Sequence, residues 1–309
     1  MAPYAFDLSP VPPFRLDLTV WALRRRVDNV VDRWDGRTYR RVLIGDAGEP
    51  FEVAVSQDGP SDAPHLNVRI QAEASGPGLE SEATLALKSL LGIDLELDEF
   101  YALAHADGNL KPLAAQFRGF KPPRFATYFE ALVNGISCQQ LSLTVGIRLL
   151  RNLTECFGVE LGTEEGAFHA FPRPQDLVDV DIERLRKMGF SYGKAGYITE
   201  LAQSITKGQL ILRELEALND REAVDRLRGL KGVGRWTAEY FLLRGLGRTH
   251  IFPADDVGAR NNLQHWLGLP ATVTYEQVHE ALQPWEGFGG LIYFHLLLKS
   301  LNEKGALVE

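Results

Sequence analysis

The sequence predicts a mainly helical fold preceded by a mixed α+β unit. Three observations lead there: alternating apolar residues early in the chain, four-and-three apolar spacing after residue 96, and short connections between the later segments. With 309 residues the chain has room for two or three cores. An apolar content of 45% and a charged content of 24% are those of an ordinary globular protein, which excludes wholesale disorder.

Taken in order, "RLDLTV" alternates Leu16, Leu18 and Val20 and predicts a strand. "FEVAVSQDG" (Phe51, Val53, Val55) and "HLNVRIQ" (Leu66, Val68, Ile70) predict two more, joined by a turn rich in Gly, Pro and Asp. "SEATLALKSLLG" predicts a helix that ends at Gly92. The paired prolines of "FRGFKPPRF" mark the join to the helical part. There Phe125, Phe129, Leu132 and Ile136 step by four, three and four. The pattern breaks at "SCQQLS", with Ser142 a candidate N-cap, and resumes at Leu149, Leu150, Leu153 and Phe157. Further helices are expected over 176–188, 193–206, 220–228, 235–246, 256–266, 275–283 and 288–302. The expected division is a mixed unit over 1–95, one helical subdomain from 96–124 with 250–309, and another over 125–249.

Two cysteines, Cys138 and Cys156, exclude a disulfide framework and a four-thiolate cluster, and they suit a reducing compartment. The N-terminus lacks a basic start followed by an apolar run, and no stretch approaches ~18 apolar residues. A cytoplasmic protein without membrane contact is expected. No His/Asp/Glu cluster has transition-metal spacing, so His250 and His295 read as structural. A net charge of −8 argues against a nucleic-acid partner, but the charge is segregated. Acids crowd 73–99 (Glu73, Glu80, Glu82, Asp94, Glu96, Asp98, Glu99) against Lys88. Bases crowd 225–248 (Arg226, Arg228, Lys231, Arg235, Arg244, Arg248) against Asp225 and Glu239. Local field, not total charge, decides whether a surface meets phosphate.

Within the basic stretch, "REAVDRLRGLKGVGRWTAEY" reads as helix, tight Gly-x-Gly turn, helix. Such a turn points backbone N–H groups outward, and Gly232 and Gly234 let a phosphate approach them. Just beyond lie two adjacent carboxylates, in "IFPADDVGAR". Aspartate before a helix is a favoured N-cap; here one of Asp255 and Asp256 is expected to cap and the other to react.

Residues 230–260, "LKGVGRWTAEYFLLRGLGRTHIFPADDVGAR", resemble the helix-hairpin-helix plus Gly/Pro-Asp (HhH-GPD) motif of the base-excision DNA glycosylases. "ALVNGISCQQLS" resembles another signature of that superfamily. The likeness spans about residues 120 to 300, extends over the first 95, and is greatest to the 3-methyladenine DNA glycosylase II branch. It implies two helical subdomains with a cleft between them, and it maps the reacting carboxylate onto Asp256. Trp236, Tyr240, Trp285 and Trp21 would line a base pocket, against the plain alternative that Tyr240 and Trp21 are core. Leu141 would be the wedge that fills the gap left by a flipped base, with Gln140 or Gln139 on the opposite strand. Gly232, Gly234, Arg235 and Thr237 would hold phosphate. The carbonyls of Arg228, Leu230 and Val233 would hold a structural Na+ or K+, and no other cofactor is required. Strand-cleaving members carry a lysine where Trp236 stands, so the resemblance implies a monofunctional enzyme. The family often has an aromatic residue where this chain has Val257, which leaves the substrate range open. The expected function is hydrolysis of alkylated purines from damaged duplex DNA, by a monomer with no obligatory protein partner. Two other readings fit the same residues: a non-catalytic damaged-DNA-binding module, and a glycosylase for oxidised or deaminated purines.

Overall fold

A computed structural model describes residues 4–72, 78–163, 165–270 and 273–308; Glu73 of the acidic stretch lies outside the described residues. The N-terminal unit is a five-stranded antiparallel sheet of β1 (Tyr4–Leu8), β2 (Arg33–Trp34), β3 (Thr38–Ile44), β4 (Pro50–Asp58) and β5 (His65–Ala72), in the order β1-β5-β4-β3-β2. Pairing Val53 with Ile70 and Val55 with Val68 puts the alternating residues of β4 and β5 on one face. That face is buried against α1 (Leu16–Arg24) and α2 (Leu79–Leu91), the latter closed by left-handed Gly92 as expected.

The strand expected at "RLDLTV" is the start of α1 instead. This helix is wedged between the sheet and the C-terminal helices, so Leu16 and Val20 pack on one side while Leu18 and Trp21 pack on the other. A helix buried all round carries apolar residues at every spacing, alternation included.

The rest is helical: α3 (Asp98–Ala106), α4 (Leu110–Gln116), α5 (Tyr128–Cys138), α6 (Leu143–Phe157), α7 (Pro174–Leu177), α8 (Ile182–Lys187), α9 (Tyr192–Thr206), α10 (Asp220–Arg228), α11 (Arg235–Arg244), α12 (Val257–Leu267), α13 (Tyr275–Leu282) and α14 (Gly289–Glu303). A hairpin of β6 (Glu160–Thr163) and β7 (Gly166–His169) follows α6. The helix expected over 176–188 is two, because the Asp181 carboxylate caps a fresh start by accepting the Glu183 N–H. One core gathers α5, α6, α9, α10 and most of α11. Another gathers α3, α4, α12, α13 and α14 with Leu18, Trp21 and Ala22 of α1.

The sheet is joined to α5 by a buried ionic triad. Arg41 donates from Nη1 to Asp32 at 2.7 Å and from Nη2 to Glu130, and the Tyr39 hydroxyl donates to Asp32 at 2.8 Å. Burial pushes the Glu130 carboxyl up, while Arg41 pulls it down. Such a triad is costly to break on one side, because the remaining charges stay buried and unpaired. Arg41→Met is expected to destabilise the chain by about 3–5 kcal/mol, read as the shift in free energy of denaturant unfolding.

Candidate active site

The carboxylate pair sits where the two helical cores meet. Asp256 is the N-cap of α12, and its Oδ1 accepts the Ala259 N–H at 2.9 Å. Its Oδ2 accepts the Trp236 indole N–H at 3.1 Å and the Tyr293 hydroxyl at 3.4 Å. Three donors from α11, α12 and α14 thus converge on one side chain, at the positive end of a helix. Of the two aspartates, the cap is Asp256, the one onto which the resemblance maps the reacting carboxylate. Asp255 instead takes both Nε and Nη2 of Arg235, at 2.6 and 3.0 Å.

Of the four aromatic residues expected around a base, only Trp236 is half-exposed. Tyr240 lies behind it, rings stacked at 5.3 Å and 21°, and is itself core. Its hydroxyl accepts from the guanidinium of buried Arg25 at 3.1 Å, and Arg25 also donates to Asn134 at 2.9 Å. Trp21 packs in the C-terminal core under the Arg24 guanidinium. Trp285, expected to face a cleft, is 3% exposed and packs on Trp266 at 5.0 Å. A 3-10 turn over Gln283–Trp285, with Pro284 inside it, folds the indole inward. Val257, beside Asp256, is 62% exposed and leaves that edge open.

The hairpin forms as expected, from α10, a turn and α11. Gly234 is the N-cap of α11, so no side chain caps the first N–H groups, and a Cβ there would meet nothing within 4 Å. Gly232 does a different job: its φ is +79°, and a Cβ would lie 2.2 Å from the Tyr197 ring. Two of the expected phosphate contacts are redirected. Arg235 is engaged with Asp255 and lies 3.7 Å over the Tyr275 ring. Thr237 is buried, and its hydroxyl accepts from Gln139 Nε2 at 2.6 Å. Of the six bases in the stretch, Arg244 is also buried, donating to the carbonyls of Ala22 and Leu23.

Leu141 projects from the α5–α6 turn with 41% exposure, and Gln140 before it adopts a left-handed φ of 53°. Ser142 caps α6 by accepting the Val145 N–H, as expected. Gln139, considered for the opposite strand, faces the hairpin instead: besides Thr237, it donates to the Gly232 carbonyl at 2.7 Å. Lys194 of α9 braces the same turn through the carbonyls of Ser137 and Gln139, at 2.9 and 2.6 Å. For a monovalent cation the fit is partial. Among the described residues the Arg228 and Val233 carbonyls accept no backbone N–H, whereas that of Leu230 takes the Val233 N–H at 3.2 Å. Tyr293 and Arg25 escaped the sequence reading. Tyr293 sits in a helix apolar on every side, and Arg25 sits in a basic run that looks solvated.

Comparison with known proteins follows this geometry. The sequence pattern described as HhH-GPD superfamily base excision DNA repair protein matches residues 133–287, half of the chain. A DNA-3-methyladenine glycosylase of Bacillus subtilis is 28% identical over 204 residues, 66% of this chain and 67% of that protein. A 3-methyladenine DNA-glycosylase from Archaeoglobus fulgidus shares the fold with a TM-score of 0.83 at 24% identity, over 96% of this chain and 98% of that one. An 8-oxoguanine glycosylase/lyase of Clostridium acetobutylicum, solved with double-stranded DNA, shares it at 0.71 and 17%, over 97% and 98%.

The two hairpin glycines separate by stability. Gly232→Ala is expected to cost about 2 kcal/mol or more, since it combines a left-handed φ with a ring clash, whereas Gly234→Ala melts like the wild type.

Proposed function

The chain belongs to the HhH-GPD superfamily of base excision DNA repair proteins, and from that premise we propose that it is a monofunctional DNA glycosylase. Its reaction is hydrolysis of the N-glycosidic bond of alkylated purines, of the 3-methyladenine and 7-methylguanine kind, in duplex DNA. The observation that carries this reading is the contact of Asp256 with Trp236: a fixed carboxylate beside a half-buried aromatic ring. The name of the Bacillus subtilis relative supports the alkylated class.

In this reading the uncapped N–H groups of α11 take a DNA phosphate without regard to base sequence. Leu141 enters the stack where the damaged base leaves, offsetting the few kcal/mol lost in unstacking. The everted base rests on Trp236, whose electron-rich ring favours a cationic purine by about 0.5–2 kcal/mol. Asp256 faces the sugar, stabilises the oxocarbenium character that develops as the base departs, and orients the attacking water. Donors from Ala259, Trp236 and Tyr293 already fix the carboxylate, so little reorganisation accompanies the step. An indole N–H offers no nucleophilic lone pair at the position where strand cleavage would need an amine, which supports release without lyase chemistry. A Na+ or K+ at the hairpin would draw on the free carbonyls of Arg228 and Val233, with Leu230 completing the set, and would stiffen the phosphate-binding turn.

The test is release of methylated bases from alkylated duplex DNA, quantified by chromatography. Asp256→Asn is expected to lower release by roughly a thousandfold or more while duplex binding persists. Equal release by both proteins would move the chemistry to Asp255, and borohydride trapping of a covalent adduct by the wild type would overturn the monofunctional reading. Gly234→Ala is expected to weaken duplex binding by roughly tenfold, because its methyl group holds phosphate off the amides, as measured by fluorescence anisotropy.

A further inference from the structure

Glu239 lies one turn beyond Arg235 on α11 and has no part in the chemistry above. Its side chain is 6% exposed. Oε1 accepts the Tyr275 hydroxyl of α13, while Oε2 is buried without a hydrogen-bond partner among the described residues. The groups that face it come from three elements. Arg235 lies on its own helix. Tyr275 comes from α13, with His279 against the Tyr275 ring at 4.6 Å. Asp255 and the Ala254 backbone come from the loop that carries Asp256. Burial above all pushes the Glu239 carboxyl up to about 7, whereas burial and Arg235 hold His279 below the ordinary imidazole range.

Protonated, Glu239 is a neutral acid that accepts the Tyr275 hydroxyl at Oε1 and leaves one uncharged O–H unpaired, a smaller cost than a bare buried charge. Ionised, it has the Ala254 backbone near but no side-chain donor on Oε2, and a buried charge so thinly paired is costly. Among the groups facing it, Arg235 is the one cation. Arg235 is already committed to Asp255 and lies over the ring of Tyr275, whose hydroxyl meets the Glu239 carboxyl. The two carboxylates therefore compete for one guanidinium.

We propose that Glu239 is a positioning residue for the loop of Asp255 and Asp256. In its protonated form it leaves Arg235 on Asp255 and keeps Asp256 seated against Trp236; in its ionised form it draws Arg235 away and unseats the loop. This rests on Asp256 being the reacting group of the proposed glycosylase.

The experiment uses the full chain and two readouts. In single-turnover release of methylated bases from pH 5.5 to 9, the rate of wild type relative to Glu239→Gln is expected to fall about tenfold through pH 7. Tyr275→Phe keeps the ring under Arg235 but removes the donor that favours ionised Glu239, so its fall should move to higher pH. The second readout, thermal melting, needs no activity. An acid whose folded-state value is raised costs stability as it ionises, from its unfolded value near 4.5 up to about 7. The melting temperature of Glu239→Gln should therefore gain on the wild type by a few degrees between pH 4.5 and 7 and hold level above. A rate lowered equally at every pH, a limb unchanged in Glu239→Gln, or a level melting difference would each overturn the proposal. A melting difference that opens as expected, with no base released by the wild type at any pH, supports the Glu239 ionisation and sinks the glycosylase reading instead.

Discussion

The site depends on one carboxylate that belongs to both helical cores at once. Trp236 reaches Asp256 from the helix that closes the hairpin, while Ala259 and Tyr293 reach it from the C-terminal set. Because Asp256 is an N-cap, its side-chain rotamer is fixed by the same bond that starts α12. A group held by helix formation needs no separate scaffold, and its direction is set before any ligand arrives. For the proposed chemistry the cost is that Asp256 also serves folding, so loss of the charge and loss of the cap are hard to separate unless the replacement can still accept the Ala259 N–H. Asparagine can.

The hairpin and the α5–α6 turn are likewise one rigid piece rather than two. Gln139 spans from the α5–α6 turn to the Gly232 carbonyl and the Thr237 hydroxyl, and Lys194 holds the turn from the other side. The hairpin turn and Leu141 are therefore held at a fixed separation. Orientation in advance is where an enzyme that must distort its substrate saves most of its entropy.

Much of this was legible in the chain. β4 and β5, the hairpin, the α6 cap and the carboxylate pair all announce themselves through local chemistry: alternation on a half-buried sheet, glycine in a turn, serine at a helix start. What was not legible shares a cause. α1, Trp285 and Tyr293 lie where elements are covered on every side, and there spacing no longer tells which neighbour a residue meets. Thr237 and Arg235 have the right types for phosphate, but their partners, Gln139 and Asp255, lie far off in sequence or in a loop whose path no pattern dictates. Arg25 is the extreme case: a left-handed, buried arginine behind Tyr240, in a run of three that reads as solvent-facing.

The ionic joint between sheet and helices has a consequence for how such a chain can change over time. Apolar side chains of similar volume could replace Asp32, Arg41 and Glu130 together at little or no loss, since a buried triad repays little of its own desolvation. Any one of them altered alone strands a charge in the interior. Descent by single substitutions therefore meets a valley on every side of the present arrangement, and the three positions should drift as a unit or stay as they are. The joint between the sheet and α5 is in this sense hard to alter one substitution at a time.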